Sequence, residues 1–194
     1  WKSQNKVRIV YAPHHSFRHS ILKWATYEWS GAHLIQLAKD HQDTTEWIFK
    51  PHPRFYITLV EEFGQEFADS VFEQWTQVSR LYDQGDYFDL FKTADLMISD
   101  CGSFQIEWLP THKPYIHLVS NYPDAEPDGQ LKKHFSSGYY LAHSIKELDD
   151  YFQQLVVLKQ DPKREKREEL IREIPLNASE VVFSYVKQLI APTP

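Results

Sequence analysis

Three short segments rich in histidine, serine and glycine each follow an apolar run that we predict to be a buried strand. They are Pro13-His14-His15-Ser16, Pro51-His52-Pro53-Arg54 and Asp100-Cys101-Gly102-Ser103. Side chains of these types bind anions or exchange protons, and histidine also ligates metals. Because ligands bind outside the carboxyl ends of strands in an open parallel sheet, we expect the three segments to form one site.

The segment after the third apolar run is predicted to be a phosphate-binding turn. Gly102 and Ser103 would open a helix, where free backbone N–H groups and the helix dipole hold phosphate. Gly102 allows a ligand to approach the backbone closely, and Ser103 adds a hydroxyl. Glu107, one helical turn further, could accept hydrogen bonds from ribose hydroxyls. The alternatives are that Asp100 and Ser103 only cap the helix and that Glu107 is a solvated helix residue.

His52 is a candidate for proton transfer or for charge neutralisation at a departing phosphate. Pro51 and Pro53 flank it and stiffen the loop that carries it. Lys50 and Arg54 add positive charge on either side. A histidinium can neutralise phosphate charge, and a neutral histidine can act as a base. The alternative is a structural histidine in a tight turn.

The histidines His14, His15 and His19 suggest a metal site, but we predict none. Zinc needs three or four ligands on rigid elements, whereas these residues lie in a predicted loop. The single cysteine, Cys101, excludes a cysteine-rich zinc site. A phosphate-facing role for His14, His15 and Ser16 is the better interpretation.

The hydrophobic pattern predicts strands that alternate with helices, which is typical of a parallel sheet covered on both faces. The predicted strands are Val7–Tyr11, Glu46–Lys50, Asp95–Ser99, Pro114–Val119 and Gly138–Ala142. Four predicted helices begin at capping residues: Ser30, Asp86, Ser144 and Asp161-Pro162, and Ser144 forms a capping box with Glu147. Three others are predicted over the ranges Arg54–Leu81, Ser103–Leu109 and Ser179–Ile190, the first of them broken near Gly64. Asn177-Ala178-Ser179 would cap the last helix, whose free N–H groups could also face the site.

The composition restricts the class of protein. The 194 residues, of which 42% are hydrophobic, suffice for one domain with its own core. The net charge of -6 argues against a nucleic-acid partner. No apolar run approaches the roughly 20 residues that span a bilayer. A lone cysteine cannot form an internal disulfide, so we expect a cytoplasmic chain. The first residue is Trp1 rather than Met, which suggests that the sequence is part of a longer protein.

Four segments, in order and at similar spacing, resemble the C-terminal half of the CDP-glycerol glycerophosphotransferases, the teichoic acid polymerase family. They are Arg8-Ile9-Val10-Tyr11-Ala12-Pro13, Phe49-Lys50-Pro51-His52-Pro53, Ala94-Asp95-Leu96-Met97-Ile98-Ser99-Asp100 through Ser103, and Lys113-Pro114-Tyr115-Ile116. Asn177-Ala178-Ser179-Glu180 is similar to the family's short motif before its last helix. The resemblance covers nearly the whole chain.

This resemblance implies a GT-B fold of two Rossmann-like halves, with residues 1–194 as a single domain that binds a nucleotide-diphosphate donor and the N-terminal acceptor half absent. It implies catalysis by His52, diphosphate binding by Asp100 and Ser103, and a ribose contact for Glu107. Cys101 and Gly102 depart from the family's Tyr and Ser, and the first loop carries Pro-His-His-Ser where the family has threonine. These departures are compatible with binding of a nucleotide diphosphate but leave the transferred group open.

The expected activity is transfer of polyol phosphate from CDP-glycerol, or a related CDP-activated donor, to a teichoic acid-like or capsule polymer. Donor binding would involve Asp100, Gly102, Ser103, Glu107, His14, His15, Ser16, Lys50, Arg54 and Ser179, with no cofactor and no metal. The acceptor would be lipid-linked, with the parent enzyme peripheral on the inner face of the cell membrane. The alternatives are a GT-B glycosyltransferase that uses a nucleotide sugar, and a non-catalytic Rossmann-like module.

Overall fold

A six-stranded parallel sheet forms the centre of the protein. The computed structural model describes residues 1–3, 5–83, 85–123, 125, 134–174 and 177–190. The strands are β1 Val7–Ala12, β2 Thr45–Phe49, β3 Arg80–Leu81, β4 Leu96–Ser99, β5 Tyr115–Leu118 and β6 Tyr140–Ala142. Their order is β3-β2-β1-β4-β5-β6, and every neighbouring pair is parallel. The strand order changes direction between β1 and β4, which is where a sheet of this kind opens a crevice for ligands.

Helices cover both faces of this sheet, as the sequence predicts. They are α1 Tyr27–Asp40, α2 Phe55–Phe63, α3 Gln65–Val78, α4 Phe88–Thr93, α5 Gly102–Trp108, α6 Ile145–Phe152, α7 Arg164–Arg172 and α8 Ala178–Ile190. A 3-10 turn at Leu109–Thr111 follows α5, and a π-helical turn at Gln153–Val157 follows α6. In the described part of the chain, no helix is both long enough and apolar enough to cross a bilayer.

Alternation along the strands divides the core into two clusters. Ile9 and Tyr11 of β1 pack on one face with apolar residues of α1, α2, α3 and α6. Val10 and Ala12 point to the other face, where they meet residues of α4 and α5 and Leu170 of α7. Successive strand side chains point to opposite faces, so a strand buried on both sides reads as an unbroken apolar run. The Rossmann-like α/β fold is therefore confirmed.

Two helix starts differ from the sequence prediction, and Arg80–Leu81, predicted as the end of a helix, forms the edge strand β3 instead. Thr26, not Ser30, is the N-cap position of α1, and the Ser30 hydroxyl lies inside the first turn, donating to the Thr26 carbonyl at 2.9 Å. The tertiary bond from Thr26 to Asp100 fixes this start, and local pattern could not show it. Helix α7 begins at Arg164 rather than at Asp161-Pro162, which instead forms the preceding turn.

Two other local predictions are confirmed. Gly64, with φ of 90°, separates α2 from α3 and adopts the left-handed region that favours glycine. The capping box at α6 is present, since Ser144 Oγ accepts from Glu147 N at 3.3 Å. The Glu147 carboxylate in turn accepts from His143 N at 2.7 Å.

Candidate functional site

The three predicted segments meet at the carboxyl edge of the sheet, because β2, β1 and β4 are neighbours there. They line a cavity of about 290 Å³ together with the loop after β3. The lining residues are Pro13, His14, Lys50, Pro51, His52, Pro53, Tyr82, Asp83, Gly85, Tyr87, Cys101, Ser103 and Phe104. The sequence predicted His14, Lys50, His52 and Ser103 of this set but not Asp83. It missed the aromatic wall of Tyr82, Tyr87 and Phe104, which long-range packing brings in.

Backbone hydrogen bonds hold the first two loops against each other. Lys50 N donates to the Tyr11 carbonyl at 2.8 Å, which extends the β1–β2 pairing by one step. His52 N donates to the Pro13 carbonyl at 3.1 Å. The loop that carries His52 is therefore tied to the loop that carries His14 and does not depend on its prolines alone for rigidity.

Asp100 connects the β4 turn to the β1 loop and does not face the cavity. Its side chain is buried and accepts three hydrogen bonds, from His14 N at 2.6 Å, from Thr26 N at 2.7 Å and from Thr26 Oγ1 at 3.0 Å. Burial raises the Asp100 pKa to about 6, against the lowering effect of these donors. The structure therefore gives Asp100 the role of positioning His14 and the start of α1.

His14, His15 and His52 form a cluster of imidazole rings, which we call the histidine cluster. The His15 and His52 rings stack with centroids 4.0 Å apart, and His14 lies 4.5 Å from His15 and 5.4 Å from His52. One ring nitrogen from each lies within 4.8 Å of those of the other two. His19, the third histidine of the predicted loop, instead pairs with Glu62 at 2.6 Å.

Two imidazoles of this cluster, those of His15 and His52, are neutral at pH 7. Burial, followed by the charges of His15, Lys50 and Arg54, lowers the pKa of His52 to about 4. Burial and then Arg54 also lower the pKa of His15. Three imidazoles at this spacing could hold either a metal ion or an anion, and the choice depends on which nitrogens carry hydrogen.

Backbone donors determine the tautomers of two of these rings. His14 Nδ1 accepts from Ser16 N at 3.2 Å, and His52 Nδ1 accepts from Arg54 N at 3.1 Å. A backbone N–H can only donate, so Nδ1 holds the lone pair and Nε2 holds the proton in each neutral ring. A metal ligand needs that Nε2 lone pair, whereas an anion needs the N–H. The arrangement at His14 and His52 therefore favours an anion.

Lys50 adds a cation to the same cavity. Its Nζ lies 4.6 Å from the centroid of the Tyr87 ring and 4.9 Å from that of Phe104. Burial lowers the Lys50 pKa, while Cys101 and Glu107 act in the opposite direction. An ammonium held mainly against aromatic faces keeps its strong N–H donors available for an anionic ligand.

Glu107 lies at the aromatic wall and is not simply a solvated helix residue. The Tyr87 hydroxyl donates to Glu107 Oε2 at 2.6 Å, and this bond is the main cause that raises the Tyr87 pKa to about 12. A carboxylate has further lone pairs, so Glu107 can still accept from a ligand hydroxyl. The residue is therefore placed and oriented by Tyr87.

The first turn of α5 carries no side-chain cap within the described residues. Cys101 occupies the N-cap position without a side-chain cap bond, and its Sγ lies 3.4 Å from Ser103 Oγ. Burial raises the pKa of the Cys101 thiol, which is therefore protonated at pH 7. The capping alternative for Asp100 and Ser103 is not observed, since Cys101 is the N-cap residue and the Asp100 carboxylate accepts from His14 and Thr26 instead.

The remaining predicted site residues support the site or lie away from it. Ser16 is buried, and its Oγ lies 2.7 Å from His14 Nδ1 and accepts from Trp24 N at 3.0 Å, so it orients His14. Arg54 is exposed and holds His52 through its backbone N–H. Ser179 is exposed on α8 and is not among the residues that line the cavity.

Comparison with solved structures identifies proteins of the same fold. The chain is similar to UDP-GlcNAc 2-epimerase from Neisseria meningitidis bound to UDP-GlcNAc, with 16% identity, a TM-score of 0.55, and coverage of 96% of this chain and 45% of that one. It is also similar to S. aureus MnaA in a structure with UDP, with 16% identity, a TM-score of 0.60, and coverage of 100% of this chain and 51% of that one. The chain thus spans about half the length of these proteins.

Comparison with protein families is more specific. No curated protein matches the chain by sequence. The model of the family described as CDP-Glycerol:Poly(glycerophosphate) glycerophosphotransferase matches residues 2–126, which include every residue that lines the cavity. Because this match covers more than half of the 194 residues, the chain belongs to the CDP-glycerol:poly(glycerophosphate) glycerophosphotransferase family.

Proposed function

We propose that this chain is the donor-binding half of a GT-B transferase that uses CDP-glycerol or a related CDP-activated polyol. The observation that carries the proposal is the cavity at the β1, β2 and β4 ends, where His14, His52, Lys50 and Ser103 present hydrogen-bond donors. Donors and a cation beside the start of a helix suit a diphosphate. The family to which the chain belongs supplies the expected type of donor.

The nucleoside would occupy the aromatic side of the same cavity. Tyr82, Tyr87 and Phe104 offer ring faces to a base, and Glu107 lies next to them with acceptors for ribose hydroxyls. The solved structures of the same fold hold UDP or UDP-GlcNAc, which supports a nucleoside diphosphate here. We propose cytosine as the base because the description of the family names CDP-glycerol.

In the proposed reaction, an acceptor hydroxyl attacks the phosphorus that carries the polyol. The bond from this phosphorus to the bridging oxygen breaks, and CMP leaves with the bonding electrons. His52 donates its Nε2–H to an oxygen of the diphosphate, and Lys50 neutralises charge that develops there. Such preorganised donors act mainly in the transition state, where that charge is largest.

The acceptor and the cellular setting are proposals of the same kind. The acceptor would be a lipid-linked, teichoic acid-like or capsule polymer, bound by the half that this chain lacks relative to the longer structures. The parent enzyme would then work at the inner face of the cell membrane. The proposal includes no cofactor and no metal: the donor carries the activated phosphate, and Lys50 supplies a cation in the cavity.

A thermal-shift and calorimetry series with CDP-glycerol, CDP-ribitol, UDP-GlcNAc and CMP tests the donor proposal. CDP-glycerol should stabilise the chain more than CMP, since the outer phosphate adds contacts with His52 and Lys50. Lys50→Met removes the ammonium with little change in shape and should weaken CDP-glycerol binding by about tenfold, or 1.4 kcal/mol. Lys39→Met, on the exposed end of α1, is the matched control and should bind as the wild type does.

The outcomes of this series separate the candidate functions. A larger shift with UDP-GlcNAc than with either CDP-polyol would favour a glycosyltransferase that uses a nucleotide sugar, a candidate suggested by the bound ligands of the similar structures. No shift with any nucleotide would contradict the proposed site and favour a non-catalytic module. Equal affinity of Lys50→Met and wild type for CDP-glycerol would show that Lys50 does not belong to the donor site.

A further inference from the structure

We propose that Asp83 selects cytosine over uracil as the base of the donor. This inference rests on the proposed function, since it concerns the nucleoside side of the same cavity. Asp83 lies in the loop after β3, and among the described residues that line the cavity it alone is acidic. Neither a diphosphate site nor an aromatic wall accounts for a carboxylate at this position.

The order of groups along the cavity places a base at this loop. Ser103 lies in the first turn of α5 beside the proposed diphosphate, and Glu107, the proposed ribose contact, follows one helical turn later. Tyr87, at the far end of the loop after β3, donates its hydroxyl to Glu107 at 2.6 Å. Because the base follows the ribose in a nucleotide, it comes next, against Tyr87 and the loop that begins at Tyr82.

Hydrogen bonds anchor this loop at both ends. Tyr82 N donates to the Phe49 carbonyl at 2.8 Å, which extends the pairing of β2 with β3. The Tyr82 hydroxyl donates to the Asp86 carbonyl at 2.5 Å, and Asp86 Oδ1 accepts from Phe88 N at 2.8 Å. The side chain of Asp83 takes no part in these bonds. The loop therefore holds Asp83 at the cavity without using its carboxylate.

The Asp83 carboxylate is available to a ligand. Its side chain is exposed, and among the residues that the structure describes it has no hydrogen-bond or ion-pair partner. The neighbouring carboxylates differ, since Asp86 accepts from a backbone N–H and Glu107 accepts from Tyr87. All the acceptor sites of the Asp83 oxygens can therefore serve a bound group that donates hydrogen bonds.

A carboxylate at this place distinguishes the two pyrimidines by the group on their C4 atom. Cytosine carries an amino group there, which donates hydrogen bonds, whereas uracil carries an oxygen, which accepts them. A carboxylate accepts hydrogen bonds, so it binds the amino group of cytosine and repels the oxygen of uracil. The base would present this edge to Asp83 while its ring face lies on the aromatic wall.

The position of Asp83 also separates its carboxylate from the diphosphate. Asp83 follows β3, whereas Ser103 follows β4, and β2 and β1 lie between these two strands. At roughly 4.8 Å per strand, the two loops begin on the order of 14 Å apart. This distance exceeds the Debye length of about 10 Å in 0.1 M salt, so repulsion between the carboxylate and the phosphates is largely screened.

Calorimetry of the full-length protein with CDP, with UDP and with a CDP analogue whose base lacks the 4-amino group tests the proposal. Wild type should bind CDP about tenfold more tightly than either of the other two ligands. Asp83→Ala should bind all three with about the same affinity, because it removes the acceptor. The analogue is needed because uracil can also offer its N3–H to a carboxylate, whereas the analogue differs from cytosine in the amino group alone.

Two further variants separate recognition of the base from the effect of charge. Asp86→Asn is the matched control, since it removes a carboxylate from the same loop but does not line the cavity. The asparagine oxygen can still accept from Phe88 N, so the preference for CDP should equal that of wild type. Asp83→Asn offers both an acceptor and a donor, and should narrow the preference by improving UDP binding.

Transfer kinetics with CDP-glycerol give a readout that a structural role would not produce. Asp83→Ala should raise KM about tenfold and leave kcat unchanged, because the contact with the base is the same before and during the transfer. Its midpoint of urea unfolding should match that of wild type, since the side chain is exposed.

The possible outcomes separate this proposal from the proposed function. Equal affinity of wild type for CDP and for the analogue would overturn the role of Asp83. So would an Asp83→Ala variant that still prefers CDP about tenfold, and either result would leave a nucleoside-diphosphate site intact. Failure of wild type to bind CDP and UDP would contradict the proposed function and, with it, the role of Asp83.

Discussion

Replacing Thr26 by valine tests whether Asp100 holds the β1 loop in the way the structure indicates. Thr26 is fully buried, and its hydroxyl and its backbone N–H both donate to Asp100 Oδ2. Valine has nearly the same shape but lacks the hydroxyl, so the change removes one of the three hydrogen bonds from the β1 loop and α1 to this carboxylate. The cost should depend on pH, because the strength of that bond depends on the charge of Asp100.

The magnitude follows from the protonation state of Asp100. Its folded pKa of about 6 lies above the ordinary value of 3.8. At pH 8 the carboxylate is ionised, and loss of a hydrogen bond to a charged group costs about 1.5–3 kcal/mol. At pH 4.5 the group is protonated in the fold, and loss of a neutral hydrogen bond costs only about 0.5–1.5 kcal/mol. The destabilisation should therefore be larger at pH 8 by about 1 kcal/mol.

The linkage between proton binding and folding stability also predicts a larger destabilisation at pH 8. Between pH 3.8 and 6 the folded state binds more protons at Asp100 than the unfolded state does, so this group makes stability fall as pH rises. Loss of the Thr26 hydroxyl removes an interaction that lowers the Asp100 pKa, so the folded pKa rises further. In the variant, the free energy of unfolding then continues to fall up to a higher pH than in wild type. The difference in stability between the two proteins therefore grows as the pH rises.

The assay is urea unfolding of Thr26→Val and wild type at pH 4.5 and at pH 8. Thr76→Val is the matched control, because Thr76 is exposed on α3 and its hydroxyl donates only locally, to the Glu73 carbonyl at 2.7 Å. That variant should change stability by less than about 0.5 kcal/mol at either pH. A Thr26→Val effect that is absent, or equal at the two pH values, would refute the role given to Asp100.

Three further predictions concern the histidine cluster and its donors. His52→Gln in the full-length protein should lower turnover by about 10²–10⁴-fold while CDP-glycerol still binds, and wild-type turnover would remove His52 from the reaction. Nitrogen-15 spectra of the side chains at pH 7 should show the Nε2–H tautomer for His14 and His52, and an Nδ1–H signal from either would contradict the hydrogen bonds from Ser16 and Arg54. A bound diphosphate should raise the His52 pKa from about 4. The affinity for CDP-glycerol should therefore increase as the pH is lowered from 7 to 5, with measurable proton uptake on binding. An affinity that falls as the pH is lowered would place the diphosphate away from His52.

The position of the site could be predicted from sequence because it depends on a rule about parallel sheets. Apolar runs ended by proline or by small polar residues marked β1, β2 and β4, and the polar segments after them do meet. The break at Gly64 and the capping box at Ser144 were also predictable, since both depend on residues a few positions apart.

The parts that could not be predicted depend on contacts between distant residues. Asp100 lies beside Gly102 in sequence, which suggested a phosphate contact, yet its partners are 74 and 86 positions away. The bond from Tyr87 to Glu107 and the stacking of His15 on His52 likewise join separate segments of the chain. No periodicity or local motif encodes such pairs, because tertiary packing alone creates them.

A crystal structure of the chain with CDP-glycerol would test the central claim most directly. The account predicts the diphosphate in the cavity between the β1, β2 and β4 loops, with an oxygen of it at hydrogen-bond distance, about 2.7–3.2 Å, from Nε2 of His52. The nucleoside should lie against Tyr87 and Phe104, with the ribose at Glu107. A nucleotide bound elsewhere on the chain, or a cavity that stays empty at saturating CDP-glycerol, would contradict it.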